Sequence, residues 1–155
     1  MAAALQNIGR TEKKGQSMKG YNVIVVYNET QDKLLMCRRS HDPYKGLSNF
    51  VGGKIEPGEE GLAAAYRELE EETAITSEDI TLTHFIDFTY HLDNCYVEVY
   101  VGMLNKPVAV HGDENELYWS DTDCDFFDME KYAGEGNIGH IMVHIKMFWN
   151  KLFSN

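Results

Sequence analysis

Three glutamates near the end of one predicted helix are the side chains of this chain best placed to do chemistry. Glu68, Glu71 and Glu72 belong to a segment, Leu62 to Thr73, that has no Pro or Gly and consists mostly of strong helix formers. At about 100° per residue, their carboxylates fall within an arc of roughly 100° that faces away from the apolar stripe of the helix. Like charges at these spacings repel each other, and acidic groups near a helix C-terminus oppose the helix dipole. A divalent cation would reverse both effects, so the cluster predicts a metal site with oxygen ligands; a solvated acidic face is the alternative.

The residues around this helix follow a pattern of fixed intervals. Five residues separate Gly53 from Glu59, and seven residues separate Glu59 from Arg67-Glu68-Leu69. One residue then precedes Glu71-Glu72, and two more residues precede Ile75. The pattern resembles the Nudix box, the signature of the Nudix hydrolases. One position departs from it, because the family usually has Gly where this chain has Ala74. That Gly ends the helix in a left-handed conformation, so Ala74 predicts a different exit turn at a modest cost, with little effect on a metal site.

The resemblance implies a set of metal ligands. The set would consist of Glu68, Glu71 and Glu72 of the box, the carbonyl group of Gly52, and Glu114. In MutT-like members of the family, a Glu in the loop before a Trp-containing strand joins the metal site or serves as the base. Glu114 keeps the right distance to the Trp of the next predicted strand, whereas Glu116 is the second choice and a solvated acidic loop is the alternative.

The catalytic groups would come from the same set, with one arginine added. Glu71, Glu72 or Glu114 would accept the proton of an attacking water, and the sequence does not choose among them. Arg67 would orient the carboxylates by pairing with Glu59 or with a glutamate of the box. These roles make Glu68, Glu71, Glu72, Glu114 and Arg67 the predicted catalytic residues.

Four residues match substrate contacts of MutT-like enzymes. Arg39, which fits its position better than Arg38, offers a guanidinium fork for phosphates, and Lys54 would touch phosphate. Asn49 and Asn137 match side chains that hydrogen-bond a purine base, since an amide both donates and accepts. The alternatives are a surface position for Arg39, a turn or strand end for Asn49, and a helix N-cap for Asn137.

The rest of the chain supplies the elements that would position these groups. Alternating or β-branched runs predict strands at Tyr21 to Tyr27, Leu34 to Cys37, Ile80 to Tyr90, Cys95 to Leu104 and Leu117 to Ser120. A second helix is predicted near Asn137, with one apolar face made by Ile138, Ile141, Ile145, Phe148, Trp149 and Leu152. Strands mixed with two helices indicate one α/β/α sandwich with a mixed β-sheet, the fold that the resemblance also implies. We expect it to span residues 20–155, after a flexible N-terminal extension of residues 1–19.

Composition limits the partners. The chain has 155 residues and a net charge of -11, which argues against bulk nucleic-acid binding but allows a polyphosphate ligand, because metal ions bridge acid to phosphate. Its three cysteines lack metal-ligand spacing, as is typical of reduced thiols in a cytoplasm. No apolar run reaches the roughly 18 residues of a membrane span. We expect a cytoplasmic monomer or homodimer without a membrane anchor.

These observations predict a Mg²⁺-dependent pyrophosphohydrolase of a nucleoside diphosphate linked to a further group, with Mn²⁺ as a substitute ion. Three features favour a MutT-like enzyme for oxidised purine nucleoside triphosphates such as 8-oxo-dGTP: the segment Asn49 to Lys54, the spacing from Glu114 to Trp119, and Asn137. Sugar nucleotides, dinucleoside polyphosphates, ADP-ribose and capped RNA remain open as substrates. A non-catalytic nucleotide-binding module would often lack the metal carboxylates that this chain keeps. A plain acidic interaction domain would show no Mg²⁺-dependent stabilisation by nucleotide.

Overall fold

A mixed β-sheet forms the middle layer of the fold. The computed structural model describes residues 17–153, and within them seven strands make one sheet. The strands are β1 (Lys19–Tyr27), β2 (Lys33–Arg38), β3 (Ser48–Asn49), β4 (Lys54–Ile55), β5 (Thr83–Tyr90), β6 (Cys95–Met103) and β7 (Glu116–Asp121). Their order is β3-β2-β1-β6-β5, with β4 also paired to β1 and β7 to β2. Strands β1 and β6 are parallel and the other pairs are antiparallel, so the predicted mixed sheet is confirmed.

Helices cover both faces of this sheet. Helix α1 (Gly61–Thr73) lies on one face, and α2 (Asn137–Met147) and the short α3 (Trp149–Leu152) belong to the other. The side chains of β1 alternate between the two sides: Val23 and Val25 join the core under α2, whereas Ile24 and Val26 join the core under α1. The α/β/α sandwich expected from the sequence is therefore confirmed. No helix within residues 17–153 combines the length and apolarity needed to cross a bilayer.

The boundaries of the predicted domain stay a prediction. Strand β1 already includes Lys19, which is the last residue of the expected flexible extension. Residues 1–16, where most of that extension falls, lie outside the described part of the chain.

The exit of α1 differs from the sequence-based expectation. Ala74 adopts φ 66° and ψ 8°, the left-handed conformation that Gly takes in the family, so the prediction of a different exit turn is wrong. The Ala74 N–H donates to the carbonyl oxygen of Glu70 at 2.9 Å, and the next residue, Ile75, is fully buried. A left-handed alanine costs about 1–2 kcal/mol, whereas burial of an Ile side chain stabilises by about 1.5–3 kcal/mol. Burial of Ile75 therefore outweighs the strain at Ala74.

The second helix is interrupted where the sequence predicts a continuous apolar face. Helix α2 ends at Met147, and Phe148 leaves helical geometry with φ -106° and ψ 14°. The side chain of Phe148 is consequently 38% exposed rather than part of the apolar face. Trp149 still packs against the core, where its ring and that of Tyr27 are in an edge-to-face arrangement at a centroid distance of 5.1 Å.

Candidate active site

A cleft of about 230 Å³ opens beside the C-terminal half of α1. Its walls are predominantly acidic, and its lining residues are Cys37, Glu68, Glu71, Glu72, Asp113, Glu114, Asn115 and Leu117. The cleft thus brings together the four carboxylates that the sequence selects, three from α1 and one from the loop before β7. They are separated in sequence by up to 46 positions, from residue 68 to residue 114.

Strand pairing brings the loop of Glu114 to this place. Strand β7 runs antiparallel to β2, so the start of β7 meets the end of β2, where Arg38 lies opposite Glu116. The Ser40 hydroxyl donates to the carbonyl oxygen of Glu114 at 2.7 Å, and the Ser40 N–H donates to Oδ1 of Asn115 at 3.0 Å. These bonds hold the loop after β2 to the loop before β7. Glu116 instead pairs with Arg38 at 3.2 Å and lies outside the lining, so the geometry favours Glu114 over Glu116.

Arg67 ties the acidic side chains of α1 to the preceding loop. Its Nε and Nη2 donate to the two carboxylate oxygens of Glu59 at 2.8 and 2.9 Å, and Nη2 also donates to the Lys54 carbonyl at 3.0 Å. Its Nη1 donates to Glu68 at 3.0 Å and to Glu71 at 3.3 Å. The guanidinium thus contacts both Glu59 and the glutamates of the box, two pairings between which the sequence did not decide. Its hydrogen bonds lower the pKa of Glu59 to about 2.

Two glycines let the backbone approach these carboxylates closely. The Gly52 N–H donates to Oε2 of Glu72 at 3.2 Å. A Cβ at Gly52 would lie 2.1 Å from the carbonyl oxygen of Asn22, and a Cβ at Gly53 would lie 2.4 Å from the carboxyl carbon of Glu68. Any larger residue at either position would displace β1 or Glu68.

The positively charged side chains near the cleft do not fully compensate the negative charge of its carboxylates. Burial raises the pKa of Glu72 to about 7, opposed by the Gly52 N–H and reinforced by the negative charges of Glu68 and Glu114. Burial also raises the pKa of Glu68, although the neighbouring Arg67 opposes this shift. Both glutamates therefore bind a proton more readily than a free glutamate does, which is the electrostatic condition that a bound cation would relieve.

The donor set fits a hard divalent cation. Within residues 17–153 no group of three or more His, Cys, Asp and Glu side chains is already arranged around one point as a metal site. The side chains that share the cleft nevertheless present carboxylate oxygens, the donors that such cations prefer. The Glu71 side chain is 59% exposed, which leaves it room to turn. Glu68, Glu71, Glu72 and Glu114 are therefore the residues that would hold a metal ion after side-chain adjustment.

The four predicted substrate-binding residues do not belong to the lining of the cleft. Arg39 is half-buried; its Nε donates to the Pro43 carbonyl at 2.7 Å, and its charge opposes the rise that burial causes in the pKa of Glu72, which indicates that it lies near the cleft. Lys54 is exposed on β4, and its carbonyl group accepts a bond from Arg67. Asn49 is 8% exposed, and its Oδ1 accepts the N–H of the next residue at 2.9 Å.

Asn137 is not the N-cap of α2. The cap position belongs to Gly136, which has φ 90°, and Asn137 is the first residue of the helix. Its Nδ2 donates to the hydroxyl of Tyr90 at 2.5 Å, which leaves Oδ1 free of that bond. The alternative role of helix cap, which the sequence suggests for Asn137, is therefore wrong.

Sequence reasoning missed several residues of this site. Asp113 and Asn115 flank Glu114 in the lining, and Cys37 contributes a buried thiol whose pKa burial raises to about 12. Asn22, which lies under the glycine pair, was also missed. The one available signal for it was an amide in the otherwise apolar run of β1.

Comparison with known proteins identifies the family. The model of the NUDIX domain matches residues 18–140, which is most of the chain. This chain belongs to the NUDIX family. It is a Nudix hydrolase, of a family that generally uses divalent metal ions and binds small nucleotide ligands. The family expected from the box is thus confirmed.

Individual proteins similar to this Nudix hydrolase include one curated relative and several solved structures. It is 34% identical over 62 residues to the mouse (Mus musculus) protein named 8-oxo-dGDP phosphatase NUDT18, a match that covers 40% of this chain and only 19% of the mouse protein. The structure of an Ap4A hydrolase binary complex from C. elegans superposes with a TM-score of 0.68 at 23% identity, over 84% of this chain and 98% of that one. A MutT protein from Methanosarcina mazei gives 0.62 at 21% identity, over 90% and 99%. At these identities the two structures show the shared fold.

Proposed function

We propose that this Nudix hydrolase is a Mg²⁺-dependent nucleoside triphosphate pyrophosphohydrolase that acts on oxidised purine nucleotides such as 8-oxo-dGTP. The observation that supports it most is the single cleft that gathers Glu68, Glu71, Glu72 and Glu114 beside the anchored Arg67. Four neighbouring carboxylates with too few cationic side chains destabilise the folded protein. Metal ions bound between them and a polyphosphate would remove this repulsion.

Each protein group has a part in this proposal. Glu68, Glu71, Glu72, Glu114 and the Gly52 carbonyl would hold Mg²⁺, or Mn²⁺ in its place. The bound ions would neutralise charge that develops on the phosphoryl oxygens and lower the pKa of the attacking water.

Proton transfer would use the same carboxylates. Glu71, Glu72 or Glu114 would take a proton from the attacking water. At the same time the oxygen of that water would bond to phosphorus, and the bridging P–O bond would break to release pyrophosphate. Arg67 would keep Glu68 and Glu71 in position through the bonds described above.

The substrate would extend from the cleft towards α2. The Arg39 guanidinium is bonded to the Pro43 carbonyl, next to Tyr44, and its charge opposes the rise that burial causes in the pKa of Glu72. Tyr44 in turn donates a hydrogen bond to Glu135, two residues before Asn137. Arg39 and Lys54 would therefore bind phosphates, and Asn49 and Asn137 would contact the purine base.

A nucleoside diphosphate is the second candidate substrate. The specific observation in its favour is the name of the mouse relative, an 8-oxo-dGDP phosphatase that is 34% identical over the matched stretch. The same cleft chemistry would then cut the anhydride of 8-oxo-dGDP and release inorganic phosphate instead of pyrophosphate.

A substrate panel tests the proposal. Purified protein is assayed with dGTP, 8-oxo-dGTP, 8-oxo-dGDP, ADP-ribose and diadenosine tetraphosphate, with and without Mg²⁺, and phosphate and pyrophosphate are measured separately. We expect Mg²⁺-dependent release of pyrophosphate from 8-oxo-dGTP, with kcat/KM about 10–100-fold above that for dGTP, because one or two hydrogen bonds distinguish the bases. Turnover of ADP-ribose or of the dinucleotide in preference to both oxidised nucleotides would reject the substrate assignment.

Two variants of α1 connect that activity to the cleft. Glu71→Gln should abolish Mg²⁺-dependent turnover because it removes a carboxylate that lines the cleft. Glu70→Gln changes the exposed neighbour on the same helix, outside the lining, and should keep wild-type activity. Full activity of a folded Glu71→Gln protein would contradict the placement of the active site.

A further inference from the structure

A buried asparagine stands in the middle layer of the fold next to the cleft. Asn22 is 3% exposed and lies in β1, where its neighbours on the same face of the strand are apolar residues such as Ile24 and Val26. A buried amide in such surroundings is costly unless each of its polar groups has a partner. Its partners therefore indicate what the residue does.

Asn22 holds both backbone polar groups of Gly53. The Asn22 N–H donates to the Gly53 carbonyl at 2.8 Å, and the Gly53 N–H donates to Oδ1 of Asn22 at 2.9 Å. The preceding Gly52 lies so close to the Asn22 carbonyl that a Cβ there would be 2.1 Å from its oxygen. Asn22 thus attaches the glycine pair to β1, between the pairing of Val51 with Ile24 and the pairing of β4 with β1.

The glycine pair in turn contacts two carboxylates of the cleft. Gly52 donates its N–H to Glu72 at 3.2 Å, and the carboxyl group of Glu68 packs against Cα of Gly53. A shift of Gly52 and Gly53 would therefore move the groups against which Glu68 and Glu72 are set. An error of about 1 Å in such groups is enough to impair catalysis strongly.

The other half of the amide gives a second observation. Nδ2 of Asn22 is buried and, within residues 17–153, has no hydrogen-bond partner. Leaving a buried donor unpaired costs at least as much as one hydrogen bond contributes. The stability of the sheet therefore does not explain an amide at this position, whereas its hold on Gly53 does.

We propose that Asn22 is a positioning residue for the cation site, which it serves by fixing Gly52 and Gly53 against Glu68 and Glu72. The inference rests on the proposed function, because it assumes that these carboxylates bind a divalent ion. It adds a residue from outside the Nudix box, on a strand that does not line the cleft. Asn22 acts through the glycines and does not itself contact the ion.

The test measures Mn²⁺ affinity without any nucleotide, by electron paramagnetic resonance of the free ion. Asn22→Leu keeps the number and branching of side-chain heavy atoms but loses the acceptor for the Gly53 N–H, so we expect its Mn²⁺ Kd to rise about 10-fold or more. With an active substrate, kcat should fall about 10–100-fold while KM changes less than about threefold. The control is Val101→Ala, which removes buried apolar atoms from β6 on the opposite face of the sheet. It should lower Tm and leave both Mn²⁺ affinity and kcat unchanged.

Each outcome decides the proposal. A folded Asn22→Leu protein with wild-type Mn²⁺ affinity would overturn it, and so would an equal loss of affinity in Val101→Ala. Should Asn22→Leu not fold, the smaller Asn22→Ala also lacks the acceptor for the Gly53 N–H; shifted Gly52 and Gly53 amide resonances with weakened Mn²⁺ binding support the proposal, and unchanged ones refute it. If wild-type protein cleaves no nucleotide, the proposed function fails, whereas a selective loss of Mn²⁺ affinity in Asn22→Leu still supports the role of Asn22.

Discussion

Replacing Glu72 by Gln should stabilise the metal-free protein at neutral pH while it removes activity. Glu72 is half-buried, and burial raises its pKa from the ordinary value of 4.5 to about 7. A shift of one pKa unit corresponds to about 1.4 kcal/mol, so the full difference is about 3 kcal/mol. Because the side chain keeps some contact with solvent, we expect about 2–3 kcal/mol in the free energy of unfolding.

The sign follows from the direction of the shift. A carboxyl group whose pKa is higher in the folded protein binds its proton more tightly there than in the unfolded chain. The stability that this proton contributes is complete below the unfolded pKa of 4.5 and is lost as the pH rises through about 7. Gln carries no ionisable proton and keeps the acceptor oxygen for the Gly52 N–H. The variant should therefore match wild type near pH 4.5 and exceed it above pH 7.

Urea denaturation in the presence of a chelator measures this difference across the pH range. Glu70→Gln, on the exposed side of the same helix, is the matched control and should follow wild type at every pH. Added Mg²⁺ should raise the stability of wild type more than that of Glu72→Gln, because the ion binds the folded state through the carboxylates. A pH-independent difference, or a Glu72→Gln protein less stable than wild type at pH 8, would refute the electrostatic reasoning.

Three further predictions concern other residues of the site and the helix. Arg67→Lys should lower kcat about 100-fold, as steady-state kinetics would show, because an ammonium group cannot make the bonds of the fork; a kcat within twofold of wild type would exclude this role. Glu114→Gln should weaken Mn²⁺ binding and turnover while Glu116→Gln, outside the cleft, leaves both intact, and the reverse order would transfer the role to Glu116. Ala74→Gly should raise the free energy of unfolding by about 0.5–1.5 kcal/mol, since it relieves a left-handed alanine, whereas Ala63→Gly inside the same helix should lower it by about 1 kcal/mol; a destabilised Ala74→Gly protein would disprove the strain.

Local pattern was sufficient to predict the elements that carry the site. Helix α1 begins at Gly61, one residue before the start that the sequence predicts. The prediction succeeded because the segment has an apolar stripe at helical spacing and consists mostly of strong helix formers. The spacing of the box predicted the family, which the match over residues 18–140 confirms. The choice of Glu114 came from the resemblance, and β2–β7 pairing brings that residue to the carboxylates of α1.

Features that depend on tertiary contacts were beyond the sequence. The left-handed Ala74 is imposed by the burial of Ile75, which local propensity does not include. The hold of Asn22 on Gly53 joins residues 31 positions apart, through a contact between β1 and a loop. The amide in the apolar run of β1 does not identify its partner, and alanine has no preference for a left-handed conformation. Both features depend on how the sheet, the loop and α1 pack together. The roles of the individual site residues are still predictions, since they concern chemistry that a fold alone does not report.

The most direct measurement is the location of Mn²⁺ by anomalous X-ray scattering from crystals grown with Mn²⁺ and a non-hydrolysable purine nucleoside triphosphate. We expect anomalous peaks inside the cleft, within coordination distance of Glu68, Glu72 and the Gly52 carbonyl, with the phosphates of the nucleotide on the same ions. Peaks elsewhere on the protein, or a cleft that holds neither metal nor phosphate at saturating concentrations, would contradict the assignment of these carboxylates as the active site.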